Sequence, residues 1–236
     1  TVPQTSFADP VFDIVSNLPP SVGMLQEAVT AGVERVVLGS SGGTVYGIAE
    51  TLPIREDHPT NPISPYGITK LAIEKYGLMF HRAYGLDVIT VRPGNAYGEG
   101  QRAGSGQGFI AAAMRAMVRG EPVTVYGEAG TVRDYLHVSD VAQGILAALL
   151  HGEPGKAYNI GSGFGRNNFD VLDVIAPLAE QAGLAVRTQV LSLRDYDVPA
   201  NVLDSGALRR LSNWQPRIGF EPGVAATWDS VLRDIR

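Results

Sequence analysis

The chain has no cysteine in 236 residues, which excludes disulfides and thiolate metal centres. Histidine is almost as scarce. His58, His81, His137 and His151 stand apart, with no metal-ligating spacing such as H-x-x-x-H, so no metal site is expected. His137, inside Tyr135-Leu136-His137-Val138, reads as a packed structural residue. No apolar run reaches the roughly 18 residues of a membrane span, and no signal-peptide pattern is present. The expectation is a cytoplasmic protein that is neither membrane-inserted nor secreted. Basic charge is in deficit, with 19 Lys and Arg against 24 Asp and Glu. That balance argues against a nucleic-acid surface and leaves any anionic ligand to local arginines. What the chain does have is 44% hydrophobic residues and 28 glycines, enough for a large core in one extended domain or two unequal lobes.

Tyr66 and Lys70, in Ser64-Pro65-Tyr66-Gly67-Ile68-Thr69-Lys70, are four apart at a predicted helix start. That spacing puts a phenol and an ammonium on one helical face. A cation so placed favours phenolate and lowers the tyrosine pKa from about 10. Making the phenol a base near neutrality takes roughly 4 kcal/mol. Lys70 alone does not supply that, so a second cation, such as an oxidised nicotinamide ring, is the natural partner. The pair therefore reads as acid–base machinery for hydride chemistry at a carbinol.

The flanks read as strands. Arg35-Val36-Val37-Leu38-Gly39 empties into the Ser/Gly turn Ser40-Ser41-Gly42-Gly43-Thr44, and Leu86 to Arg92 ends in Pro93-Gly94-Asn95-Ala96-Tyr97. Strand, helix, strand at this spacing is a βαβ unit with parallel strands, whose ligands sit beyond the strand carboxyl ends. Elsewhere the pattern predicts a helix over 13–31 broken or kinked at Pro19-Pro20, helices over 66–84, 109–119, 168–182 and 204–212, and strands over 122–126 and 185–191. Ser139 is read as the cap of a helix over 140–151, and a small lobe as beginning near 157. Asp134 and Asp140 read as structural.

In its order of motifs, S-S-G-G-T-V-Y-G, S-P-Y-G-I-T-K, R-P-G-N-A-Y-G, R-D-Y-L-H-V-S-D-V and Y-N-I-G-S-G, the chain resembles the extended short-chain dehydrogenase/reductases, and within them the nucleotide-sugar epimerases. The resemblance implies an α/β fold: a Rossmann-like parallel sheet with a smaller C-terminal α/β substrate lobe. Residues 1–98 and about 134–151 would belong to the NAD-binding part, and about 99–133 and 152–236 to the nucleotide-sugar lobe. The family opens on a Gly-rich phosphate turn after a strand. No such turn precedes Ser40, so the sheet is expected without its first three or four strands. The Gly161-Ser162-Gly163-Phe164-Gly165 turn matches the family's C-terminal motif rather than a dinucleotide site.

The resemblance further implies NAD as cofactor, a nucleotide sugar such as a UDP-sugar as substrate, and a homodimer formed through the Tyr66 helix and the helix before it. Tyr66 would be the acid–base residue and Lys70 its partner and ribose ligand. The third catalytic hydroxyl falls by spacing on Gly42, which leaves Ser41 as the preferred candidate and Thr44 as the alternative. Ser40, Pro93 and Asn17 would join Tyr66 and Lys70 on the cofactor side. Asn95, Gln107, Tyr126, Arg133, Arg194 and Asp197 would hold the nucleotide diphosphate, and Asn201 would wall the sugar's C2 substituent. The 4,6-dehydratases of the family carry an Asp-Glu pair after the catalytic hydroxyl. Gly42-Gly43-Thr44 has no carboxylate there, so epimerisation is the expected reaction, a nucleotide-sugar reductase or dehydrogenase the alternative, and a non-catalytic remnant the third possibility.

Overall fold

A computed structural model describes residues 1–101, 108–194 and 197–235. The chain opens with helices α1 (Pro3–Ala8) and α2 (Pro10–Thr30), then strand β1 (Arg35–Gly39), helix α3 (Pro65–Tyr84) and strand β2 (Asp87–Pro93). Next come β3 (Asn95–Tyr97), α4 (Phe109–Val118), β4 (Val123–Tyr126), β5 (Val132–His137) and α5 (Val138–His151). The remainder is β6 (Ala157–Ile160), β7 (Gly165–Arg166), α6 (Asn168–Gln181), β8 (Thr188–Leu191), β9 (Ala200–Asn201), α7 (Gly206–Ser212) and α8 (Phe220–Ile235).

The central sheet is parallel, in the order β1-β2-β6. Along β2, Val88 packs with Leu38 of β1 and with Leu25, Ile73 and Phe80 of the α2–α3 layer, while Ile89 and Val91 pack with Ile160 of β6 and with Val141, Ala148 and Leu208 of the α5–α7 layer. Alternation with period two thus buries both faces, which explains the unbroken Val-Ile-Thr-Val run. Strand β6 completes this sheet, with Thr90 to Pro93 pairing with Ala157 to Ile160. A second core lies under β3, β4 and β5, where α4, α6 and α8 bury Met114, Met117, Val125, Ile175, Val224 and Trp228.

Local expectations also meet the structure unevenly. Pro19 and Pro20 do not break the helix: both lie inside a continuous α2. Both are solvent-exposed, as are Val15 and Ser16, whose carbonyls lose the helical bond and can turn to water. The cap of α5 is His137 rather than Ser139: its Nδ1 accepts the Ser139 amide at 3.3 Å, and β5 runs into the helix with no loop. Helix α8 was not expected, although Phe220, Val224, Trp228 and Val231 recur at helical spacing and are all buried.

A buried polar cluster ties the sheet to its helices. The Arg92 guanidinium meets the Glu74 carboxylate at 3.0 and 2.6 Å and donates to the Tyr46 hydroxyl at 2.8 Å. Tyr46 in turn donates to Asn159 Oδ1 at 2.7 Å. Glu74 also accepts the Ser40 hydroxyl. Burial pushes the Tyr46 phenol up to about 12, which keeps it a donor. Removing one partner leaves a buried charge without its counter-ion. Glu74→Ala is therefore expected to destabilise the fold by about 3–5 kcal/mol, as read from the midpoint of urea unfolding.

Candidate functional site

The first turn of α3 sets the geometry. Ser64 Oγ accepts the Gly67 amide at 3.1 Å and Pro65 supplies the first helical position, a start signal written in the sequence. Tyr66 and Lys70 follow on one face, at the carboxyl ends of β1 and β2. The Tyr66 amide donates to Ser6 Oγ of α1 at 3.1 Å. Lys70 Nζ donates to the Gly39 carbonyl at 3.0 Å and lies 5.7 Å from the centre of the Tyr66 ring.

Electrostatics in the protein alone differ from the spacing argument. Burial raises the Tyr66 phenol above its ordinary pKa and the Asp13 carboxylate adds to the rise; a hydrogen bond from the Ser41 side chain pulls the other way. Burial lowers the Lys70 ammonium, and Asp13 offsets part of that. The expected depression of the phenol by Lys70 is thus outweighed here, because desolvation disfavours the phenolate and the ammonium is directed at a carbonyl.

The turn after β1 is clamped from several sides. Gly42 donates to the Pro93 carbonyl at 2.9 Å. A Cβ on Gly42 would come within 2.8 Å of the Arg92 carbonyl oxygen, so only glycine fits this crossing. Ser41 reaches the Tyr66 phenol, whereas Thr44 Oγ1 is buried and unpartnered among the described residues. The hydroxyl of Ser40 is directed into the Glu74–Arg92 cluster. Asn201 is 1% exposed and its amide donates to the Gly42 carbonyl at 2.9 Å.

The remaining sequence-based candidates fall on the second lobe and on α2. Arg194 forks onto Asp197 at 2.7 and 2.9 Å and stacks 4.1 Å over the Tyr126 ring. Half-buried Arg133 donates to the Val132 carbonyl at 2.8 Å and sits opposite Asn201 in the β5–β9 register. Asn95 heads β3, its Oδ1 facing Gly43. The Asn17 amide donates to the Asp13 carbonyl at 2.8 Å, and Gln107 lies outside the described residues. Asp134 is structural as expected: its buried carboxylate accepts Ser162, Gly163 and Leu203 amides at 2.8, 3.1 and 3.1 Å. Asp140 accepts the Arg217 and Ile218 amides. Among the described residues no cluster of acidic residues and histidines is arranged to hold a metal.

Sequence reasoning missed Asp13, Glu74 and Arg92. The one available signal was their placement: Glu74 follows Lys70 by one turn, and Asp13 precedes Asn17 by one turn.

The sequence pattern described as the NAD dependent epimerase/dehydratase family matches residues 1–161. The chain belongs to that family. It is 32% identical over 222 residues to a UDP-glucose 4-epimerase of Mycolicibacterium smegmatis, covering 94% of this chain and 70% of that one. A UDP-glucose 4-epimerase of Thermus thermophilus, solved with NAD, superposes with a TM-score of 0.90 at 34% identity, covering 98% of this chain and 75% of that one. A dTDP-glucose 4,6-dehydratase of Actinoplanes is 31% identical, covering 91% of this chain and 65% of that one.

As a member of this family the chain is NAD-dependent, and its residues fit the nicotinamide end of that cofactor. A buried carboxylate behind Tyr66 and an unpartnered buried hydroxyl on Thr44 suit a cationic ring carrying polar groups. The Gly161–Gly165 turn runs from β6 into β7, so no helix N-terminus backs it as a phosphate seat. Because Ser41 stabilises the phenolate, Ser41→Ala is expected to move the Tyr66 titration to higher pH, and Thr44→Val to leave it in place. Phenolate absorbance against a Tyr66→Phe reference measures both.

Proposed function

We propose that the chain catalyses 4-epimerisation of a UDP-hexose or UDP-N-acetylhexosamine by removal and return of the C4 hydrogen. The observation that carries this reading is the inventory of acid–base groups. Tyr66 meets Ser41 at the sheet's carboxyl ends, whereas each nearby buried carboxylate already accepts donors: Glu74 from Arg92, Asp134 from three amides, Asp13 from Thr69. Eliminating water from a sugar takes an additional acid or base, and none of these is free. The likeness to proteins named UDP-glucose 4-epimerase, one solved with UDP-glucose at a TM-score of 0.93, supports a UDP-sugar as substrate.

In this mechanism Tyr66 takes the C4 hydroxyl proton and later gives it back, while Ser41 hydrogen-bonds the same oxygen. Lys70, held on Gly39, keeps a positive charge beside the phenolate as it forms. NAD, when bound, supplies the hydride acceptor and then the donor, so no net redox change results. The substrate is held by its diphosphate through Arg133, Arg194 and Asn95, with Tyr126 and Asp197 at the nucleoside and Gln107 on the diphosphate. Anchoring at the far end leaves the sugar ring free to turn over. Incubation with UDP-glucose and NAD is expected to yield the 4-epimer with no lasting NADH absorbance, and Tyr66→Phe to lose at least about 100-fold in turnover. Lasting NADH, or a dehydrated sugar product, would replace this reading.

The active form in this reading is a homodimer. Phe12 and Val15 of α2 and Ile68, Tyr76 and Met79 of α3 are 59, 60, 57, 40 and 40% exposed, and the three on α3 share one helical face. A patch of this kind marks an interaction surface. Light scattering is expected to give twice the chain mass, falling to the single-chain mass in the Val15→Glu, Ile68→Glu double variant. A wild-type monomer at assay concentration would rule the dimer out.

A further inference from the structure

Ser6 has no part in the mechanism above, yet its hydroxyl is built against the reactive helix. The residue is fully buried on α1. Its Oγ donates to the Pro3 carbonyl at 2.7 Å and accepts the Tyr66 amide at 3.1 Å. With its one proton committed inside α1, the oxygen has only lone pairs to offer α3, and their direction is fixed.

A helix start leaves its first N–H groups without partners. In α3, Pro65 has no N–H, and Ser64 satisfies the Gly67 amide. That leaves the Tyr66 amide, which Ser6 meets from 60 positions away. A second contact lies one turn on, where the Thr69 hydroxyl donates to Asp13 Oδ2 of α2 at 2.6 Å. Asp9 joins the two gripping helices: its amide closes α1 on the Thr5 carbonyl at 3.3 Å, and its carboxylate accepts the Phe12 amide of α2 at 2.8 Å. Two bonds three residues apart thus fix the tilt and the rotation of the turn that carries the phenol.

We propose that Ser6 is a positioning residue: by capping the Tyr66 amide it sets where the phenol stands at the sheet's carboxyl ends. The proposal rests on the reading of Tyr66 as the proton-transfer group and adds what fixes its backbone. The capped nitrogen and the side chain share one Cα, so slack at the first is amplified at the far end of a rigid ring. Proton transfer tolerates little of it, since the two oxygens must meet within hydrogen-bond distance. Loss of Ser6 leaves the Ser64 cap and the Thr69–Asp13 bond in place, so α3 stays helical while Tyr66 loosens.

The first test needs neither cofactor nor substrate. Tyrosine labelled with 15N at the amide and 13C at Cζ reports backbone and ring by NMR, and the Tyr66 signals are those missing from Tyr66→Phe. In Ser6→Ala the Tyr66 amide is expected to exchange with solvent about tenfold faster, the scale of one lost hydrogen bond. Its ring signal is expected to shift or broaden, and the amide of Tyr76, further along α3, to keep its rate. Ser6→Cys, which retains a weak acceptor, is expected to fall between and serves if the alanine chain does not fold. An unmoved Tyr66 amide would overturn the proposal. So would a freed amide with an unmoved ring signal, or an equal loss at Tyr76, either of which would make Ser6 a support of the helix alone. In turnover of UDP-glucose, Ser6→Ala is expected to lower kcat about 100-fold at unchanged KM, and an unchanged kcat would also overturn the proposal. A wild-type chain without that turnover fails the reading of the reaction, and the labelled tyrosine still decides Ser6.

Discussion

The Glu74–Arg92 pair is the constraint on which the site depends. Taking both charges out of water costs several kcal/mol per ion, and the pair persists because its polar atoms are met by Ser40, Tyr46 and each other. Burial works against the Arg92 charge, but its bonds to Glu74 and Tyr46 raise its pKa. The consequence is geometric. Tyr66, Lys70 and Glu74 occupy one stripe of α3 at four-residue spacing, so anchoring Glu74 to β2 sets the rotation of the helix. Through Ser40 the same carboxylate holds the β1 turn and places its neighbour Ser41 against Tyr66. Through Tyr46 and Asn159 it reaches β6.

Clamping extends to the second lobe. The strand carrying Asn201 pairs with β5, and its amide holds the Gly42 carbonyl, while Leu203 donates to Asp134. Residues nearly 160 positions apart in the chain thus meet at the turn after β1. Arg133 on β5 and Arg194, stacked on Tyr126 of β4, sit within the same framework. A site assembled this way has little freedom to relocate its hydroxyls, which suits the proposed return of a hydrogen to the atom it left.

The two clamps also sort the carboxylates by role. Glu74 meets the Arg92 guanidinium, whereas Asp134 is met by backbone amides and Asp13 by threonine hydroxyls. Burial alone does not separate these cases. The character of the partners does.

Much was legible in one dimension because it is local. The Ser64-Pro65 helix start, the Tyr66–Lys70 spacing, the apolar β2 run and the glycine turns are set by neighbours in sequence, and backbone sterics and helical periodicity translate them directly into structure. The partners of a buried group are decided by elements far apart in the chain. So Pro19-Pro20 reads locally as a break or kink, yet α2 runs on through both because solvent at its outer face makes the lost bonds cheap. Strand β6 has no mark in local pattern that ties it to the central sheet; its pairing with β2 does. Spacing prefers Ser41 over Thr44 only weakly, because which hydroxyl lies by the phenol depends on how the β1 turn packs on α3. The sequence by itself determined the chemistry available, a phenol, an ammonium and a hydroxyl at a sheet's edge. Only the tertiary structure decided its electrostatic state, because the proton on Tyr66 depends on desolvation and on Asp13, fifty-three residues away, and neither has a signature in local spacing.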